Sequence, residues 1–223
     1  MNRARYIVSS ILNALAFILA ILSVAAFYFS DGLVHVDGIN NPPMVGTWEF
    51  IFFTIDSNIL AALACLIVLI HNIKAHFAGN PQAPIPHRIF LVKMIGTVAV
   101  TLTFVTVAVF LGPTLGYHYM YIGANFFMHG VVPLLCIVSY LFVEKGELTF
   151  KESLLGFIPI CVYGICYITF VVIVGTWPDI YGFNSGILEG HWYISLIAML
   201  ILNFGLMMLE YLPHRKNKKA LEA

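Results

Sequence analysis

Six apolar runs, each about as long as a lipid bilayer is thick, constrain this chain more than any other feature. A run of roughly twenty apolar residues forms a helix that can cross a hydrocarbon core about 30 Å thick. Of the 223 residues, 61% are hydrophobic and only 10% are charged, which excludes ordinary soluble domains. The predicted spans are residues 6–29, 48–73, 89–111, 123–143, 154–175 and 192–212.

The organisation of the chain indicates one domain. No connecting segment is long enough to hold a second domain, and no internal repeat recurs at a fixed period. We therefore predict an all-α, polytopic membrane bundle of six transmembrane helices over residues 1–223. A cleaved signal peptide is the alternative for the N-terminus, because MNRAR is basic and SVA at residues 23–25 is a small-residue site. The first apolar stretch is longer than signal peptides usually have, which favours a span.

The positive charges predict the orientation. All 11 Lys and Arg residues lie before the first span, around the second connection, around the fourth connection or after the sixth span. The positive-inside rule then places both termini in the cytoplasm, in a multi-pass protein of the cell or inner membrane. The opposite loops, residues 30–47, 112–122 and 176–191, contain no Lys or Arg. Their acidic and histidine residues are Asp31, Asp37, Asp179, Glu189, His35, His118 and His191. The bilayer is the predicted partner, and nothing indicates nucleic acid.

A polar cluster, FFTIDSN at residues 52–58, interrupts the second span. Helical spacing places Thr54, Ser57 and Asn58 on one face, which Ala61 and Cys65 continue. Small and polar residues in a membrane helix favour contact with other helices or a cavity, not with lipid. Asp56 points elsewhere and requires a separate partner or a proton. Polar groups at this depth indicate function by default.

The fourth span contains a histidine at a depth that matches Thr54. Both spans descend from the same side, and Thr54 and His129 each come about six residues, or roughly 9 Å, after the predicted start of the helix. Imidazole is the usual base that activates a weak hydroxyl nucleophile. If the two helices pack together, Thr54 as nucleophile and His129 as base form an acyl-transfer dyad. The structural alternative is that the threonine bonds its own helix and the histidine only bridges two helices.

Other chemistries have weaker sequence support. His118 or His191 could join His129 in binding haem or a metal, but no H-x-x-x-H or H-E-x-x-H spacing occurs, and we predict no cofactor and no metal. The four cysteines all fall within predicted spans and form no C-x-x-C pair, so we interpret them as small apolar residues. No G-x-S-x-G, Walker or dinucleotide motif is present.

Transport is the main rival class, and a non-catalytic membrane protein is the third. Asp56, Asn58 and His129 could form a polar relay, and Pro133 and Pro159 could break helices at a transport site. Against transport, the six spans show no repeat and no charged residue near mid-depth. The loop aromatics Trp177, Tyr181 and Trp192 also fit an interfacial belt without any substrate.

Three stretches together resemble one known family. FFTIDSN at residues 52–58, MHGVVP at 128–133 and VGTWPDIYGFN at 174–184 look like the androgen-induced gene 1 and androgen-dependent TFPI-regulating protein family, together with its bacterial six-helix relatives. The resemblance extends over nearly the whole chain in span count, orientation and motif order. Two details depart from the family: Pro133 stands four residues after the histidine where five is expected, and the aromatic motif after the fifth span differs.

The resemblance implies an intramembrane hydrolase that cleaves esters of fatty acids with hydroxy fatty acids, with the family's threonine on Thr54 and its histidine on His129. We therefore predict a threonine-dependent lipid esterase whose partner is a fatty-acyl ester. The candidates for oxyanion or supporting roles are Ser57, Asn58 and Asp56, and those for lining the acyl chain are Pro133, Trp177 and Tyr181.

Overall fold

The computed structural model describes residues 3–30, 46–184 and 190–216, and this part of the chain is helical without strands. It has six helices that are long and apolar enough to cross a membrane, which confirms the predicted all-α, multi-pass architecture. They are α1 (Arg3–Ser30), α2 (Phe53–Phe77), α3 (His87–Leu115), α4 (Ala124–Val143), α5 (Phe150–Ile173) and α6 (Trp192–His214). The largest boundary difference is at α2, which begins at Phe53 instead of Trp48. A short 3-10 helix, Gly46–Ile51, precedes it.

Contacts between helix ends define the two ends of the bundle. The Tyr6 hydroxyl at the start of α1 donates to the carbonyl of Asn72 near the end of α2, at 3.1 Å. Leu148, which precedes α5, donates its N–H to the carbonyl of His214 at the end of α6, at 2.8 Å. We call this end, which also carries Lys74 and Lys145, the basic end. The opposite end, where α2, α4 and α6 begin, is the distal end.

Small side chains let α1, α2, α3 and α4 pack closely. A buried cluster contains Ala16 and Ala20 of α1, Ala61 and Cys65 of α2, and Cys136 of α4. Such residues allow the helix backbones to approach where lipid supplies no hydrophobic driving force. Helices α5 and α6 pack on the other side of α3 and turn most of their apolar surface outward. The cleft between these two groups of helices lies at the distal end.

Four segments of the membrane helices adopt π-helical turns. They are Val107–Leu111 in α3, Phe127–Val131 and Ser139–Val143 in α4, and Ile168–Ile173 in α5. A π-turn widens the helix locally and is frequent at functional sites. One of the four contains His129.

One of the positive charges at the basic end is buried. Lys93 lies within the predicted third span, and its side chain is only 1% exposed within α3. The loop residues Asp31, Asp37, Glu189 and His35 lie outside the described residues, as does the basic tail at 217–223.

The close packing of α2 against α4 gives a direct test of the fold. The Cys65 and Cys136 sulfur atoms are 3.7 Å apart, so a small movement would bring them to the roughly 2.05 Å of a disulfide. We expect a membrane-permeable oxidant to link these two cysteines in the wild-type protein, as detected by mass spectrometry of the joined peptides. Cys161 and Cys166 on α5 are the internal control and should remain unlinked to α2. Absence of the Cys65–Cys136 peptide under conditions that oxidise other thiols would contradict this packing.

Candidate functional site

Thr54 lies in the first turn of α2. The helix begins at Phe53, and its N-cap residue Phe52 offers no side-chain cap. The first N–H groups of a helix have no partner within the helix. Here the hydroxyl of Tyr181 accepts a hydrogen bond from the N–H of Phe53 at 3.0 Å. Thr54 is therefore less deep in its helix than the predicted span implied, and it lies at a polar, positively polarised end.

Two tyrosines hold this helix start in place. Burial raises the pKa of Tyr181 to about 12, while hydrogen bonds with the backbone of Phe53 and the side chain of Thr54 act in the opposite direction. Tyr163 of α5 donates its hydroxyl to the carbonyl of Ile51 at 2.8 Å. The Tyr181 hydroxyl therefore stays protonated at neutral pH beside Thr54.

Thr54 lines an apolar cavity at the distal end. The cavity lies between α2, α3, α5 and α6. The space that the centre of a water-sized molecule can occupy is about 40 Å³, and the whole depression, including the open solvent at its mouth, measures about 600 Å³. Its polar lining comes from Thr54, two α3 threonines and three tyrosines, and the rest is apolar. Representative apolar residues are Phe53, Leu111, Ile160, Trp192, Leu196 and Met199. Because the lining has few polar groups, the cavity is suited to apolar groups more than to polar ones.

Ser57 and Asn58 connect the start of α2 to its neighbours. The Ser57 hydroxyl lies 2.8 Å from that of Thr103 on α3 and also donates to the Thr54 carbonyl at 3.0 Å. The Asn58 amide nitrogen donates to the carbonyl of Thr54 at 2.8 Å and to that of Met128 on α4 at 3.2 Å. Its amide oxygen is buried without a partner among the described residues. Asn58 therefore joins the threonine segment to the residue just before His129.

His129 is buried and held in one orientation. Its Nδ1 lies 2.6 Å from the carbonyl of Met120, which precedes α4 at the distal end. A carbonyl oxygen can only accept, so Nδ1 carries the hydrogen and Nε2 keeps its lone pair. This arrangement is the one that a general base requires.

The remaining predicted site residues lie in different surroundings. Tyr181 lines the cavity, whereas Pro133, Trp177 and His129 are not among its lining residues. Pro133 is buried on α4, and Trp177 stacks on Phe170 with ring centres 4.8 Å apart. Asp56 is exposed in the first turn of α2.

Three polar residues near the site were not identified from the sequence. Tyr163 and Thr103 occur in apolar runs where one polar residue is common, and only the fold brings them to the cavity. Glu49 precedes α2, is fully buried, and has no partner for either carboxylate oxygen among the described residues. Burial raises the pKa of Glu49 to about 7. Glu49 could have been identified from the sequence as a carboxylate shortly before the polar cluster at residues 52–58.

The histidines considered as cofactor ligands do not converge with His129 in the described residues. His118 and His191 are both exposed at the distal end. Where the chain is described, no group of three or more His, Cys, Asp or Glu side chains is placed to hold a metal ion.

Comparison with models of known protein families, with curated proteins and with solved structures found no match to this chain.

Proposed function

We propose that this protein is an intramembrane lipid esterase that uses Thr54 as nucleophile and His129 as general base. The observation that carries the proposal is the Asn58 amide, which bonds the carbonyls of both Thr54 and Met128 and so keeps the hydroxyl and imidazole segments side by side. Side chains lean toward the N-terminal end of their helix. Both Thr54 and His129 therefore extend toward the distal end, and the Met120 contact of His129 agrees with this direction.

The first half of the reaction transfers the acyl group to the protein. His129 Nε2 takes the hydroxyl proton as Thr54 Oγ1 forms a bond to the ester carbonyl carbon. The carbonyl oxygen becomes an oxyanion, which the Tyr181 hydroxyl stabilises by donating its hydrogen. The tetrahedral intermediate then collapses, the bond to the alkoxide breaks, and the imidazolium returns its proton to the leaving alcohol.

The second half releases the fatty acid. Water gives a proton to His129 Nε2 and attacks the acyl-threonine carbonyl, and the Thr54 oxygen leaves and recovers that proton. The unpartnered amide oxygen of Asn58 is positioned to accept a hydrogen bond from this water. Neither half requires a metal or cofactor. In this scheme Ser57 serves to fix α2 against α3, because its hydroxyl is already bonded.

The apolar cavity supports a fatty-acyl ester as the substrate class. Thr54 is located at its polar boundary, and the apolar side chains of α5 and α6 would contact the acyl chain. Esters of fatty acids with hydroxy fatty acids, the class implied by the resemblance of the three sequence motifs, have two such chains. A fatty-acyl ester with a chromogenic leaving group is a suitable first substrate.

Covalent labelling of Thr54 tests the proposal. We expect the purified protein in detergent to react with a fluorophosphonate probe and to hydrolyse the acyl ester. Thr54→Ala should lose both activities, with hydrolysis reduced by about 10³-fold or more. Thr54→Ser, which keeps the hydroxyl, should retain both. Thr114→Val, at an exposed α3 threonine, is the matched control and should behave as wild type. Labelling that persists in folded Thr54→Ala would exclude Thr54 as the nucleophile.

A further inference from the structure

A second group of buried polar residues occupies the basic half of the bundle, away from the cavity. It contains Lys93 of α3, Tyr140 of α4, Glu144 just after α4, and Glu210 of α6, each at most 2% exposed. Ionisable side chains within a membrane bundle are costly, and where they occur they usually mark a functional site. The esterase mechanism uses none of them.

Hydrogen bonds distinguish the two carboxyl groups. Glu144 Oε1 accepts from the amide of Asn13 at 2.6 Å and from the hydroxyl of Ser9 at 3.2 Å. Asn13 in turn accepts from the ammonium of Lys93 at 2.8 Å. An acceptor at the end of a hydrogen-bond chain that begins at an ammonium is favoured in its ionised form. Lys93 and Glu144 therefore form a neutral pair through Asn13.

Glu210 has a different environment. Its Oε1 lies 2.6 Å from the Thr101 hydroxyl, and the same hydroxyl lies 2.8 Å from the carbonyl of Thr97. A hydroxyl has one hydrogen, and the Thr97 carbonyl can only accept. A single hydrogen cannot serve both acceptors at once. A protonated Glu210 that donates to Thr101 resolves this competition, because the threonine hydrogen then remains with the Thr97 carbonyl.

Three buried oxygen atoms in this group have no hydrogen-bond partner within the described chain. They are Oε2 of Glu210, the hydroxyl of Tyr140 and Oε2 of Glu144. Buried polar atoms without partners are rare in folded proteins. A buried water molecule is the usual partner of such atoms in protein interiors.

We propose that Glu210 is a buried proton-binding site, and that its proton exchanges with the basic end of the bundle through the unpartnered oxygens of Tyr140 and Glu144. In the exchange, the O–H bond of Glu210 breaks, an intervening water relays the proton, and the Glu144 carboxylate receives it. Glu210 is then an anion facing the ammonium of Lys93. The charges of Lys93 and Glu144 allow Glu210 to be either protonated or ionised.

The other titratable groups near α6 do not replace Glu210 in this role. His214, on α6 itself, has its Nε2 3.1 Å from the carbonyl of Tyr140. At the start of α5, Glu152 pairs with His87 at 2.7 Å and both are partly exposed. On α2 and α4, the sulfur atoms of Cys65 and Cys136 lie 3.7 Å apart, and Cys65 accepts a hydrogen bond from the ammonium of Lys93 at 3.0 Å.

Infrared spectroscopy of the purified full-length protein tests for the proton. We expect a carbonyl stretching band of a protonated carboxyl group at neutral pH that is lost in Glu210→Gln. All proteins compared carry Glu49→Gln as well, because Glu49, whose pKa is about 7, would add a band of its own. Glutamine is an isostere of the neutral acid and can donate to Thr101, so this variant should fold. Glu147→Gln, at an exposed carboxylate, is the matched control and should keep the band. Absence of the band in wild type, or its persistence in Glu210→Gln, would overturn the assignment.

Two further variants test the exchange route and the identity of the acid. Tyr140→Phe removes a hydroxyl that has no partner, so it should leave stability unchanged but slow the shift of the band after transfer to D₂O. An unchanged exchange rate would overturn the route.

Thr101→Val should shift the band without removing it, which identifies Glu210 even if Glu210→Gln does not fold. The proton site would be overturned if Thr101→Val left the band at its wild-type position. It would also be overturned if the wild type lacked the band and were stabilised more by Na⁺ than by K⁺.

Discussion

Replacing His129 with glutamine should reduce ester hydrolysis by about 10³-fold or more, the loss typical when the base of a nucleophile–base pair is removed. Glutamine is close to histidine in size and can still donate to the Met120 carbonyl, but its amide is too weak a base to take the threonine proton. The variant should therefore fold, bind ester and fail to acylate. Hydrolysis and fluorophosphonate labelling, measured on protein that elutes as wild type in size exclusion, check this expectation.

The matched control is His118→Gln, at an exposed histidine in the segment before α4. It should keep wild-type hydrolysis, because an exposed imidazole at this position makes no contact with Thr54. Loss of activity in both variants would indicate a general effect on the distal segment. Full activity in folded His129→Gln would remove His129 from the mechanism and leave the threonine to another base.

The span pattern could be predicted from the sequence because it depends on one-dimensional information. A helix in lipid must satisfy its own backbone hydrogen bonds, so a long apolar run determines both the secondary structure and its approximate length. The start of α2 was misplaced because Trp48, Phe50 and Ile51 extend the apolar run and a single glutamate, Glu49, does not mark a helix end. Only the Tyr181 and Tyr163 hydroxyls, which come from distant parts of the chain, show where the helix begins.

The candidate site was predictable in part. Helical spacing grouped Thr54, Ser57 and Asn58 on one face, and all three side chains are buried between helices in the structure. The cavity was not predictable, because its walls come from four helices whose order of packing is not encoded in their apolar patterns. Trp177 and Pro133 are as apolar as the true lining residues, so composition alone could not distinguish them.

The burial of Lys93 could not be predicted from the sequence either. In the sequence it lies seven residues into α3, close enough to the basic loops for the positive-inside rule to include it. Its burial depends on acceptors from other helices, Asn13 on α1 and Cys65 on α2, at 2.8 and 3.0 Å. A lysine that such partners surround is part of the core.

Substituting Lys93 with methionine should therefore destabilise the protein strongly. Methionine fills most of the volume but leaves the Glu144 carboxylate buried without a counter-charge. Removing one partner of a buried ion pair costs about 3–5 kcal/mol, and we expect a comparable loss in the free energy of unfolding in detergent. Lys151→Met, at an exposed lysine, should lose almost nothing, because exposed charges contribute about 1 kcal/mol or less.

The double variant Lys93→Met/Glu144→Gln separates loss of the charge pair from loss of packing. If Glu144 is ionised and depends on Lys93 for its counter-charge, neutralising it should recover much of the stability that Lys93→Met loses. Glutamine can still accept from Asn13 and Ser9 through its amide oxygen. A double variant no more stable than Lys93→Met would mean that the ammonium acts through Cys65 and Asn13 alone. Because Glu210 is already neutral in the proposed resting state, Glu210→Gln should not recover the stability that Lys93→Met loses. Glu144 and Glu210 are therefore distinguished by their effects on stability as well as by infrared absorption.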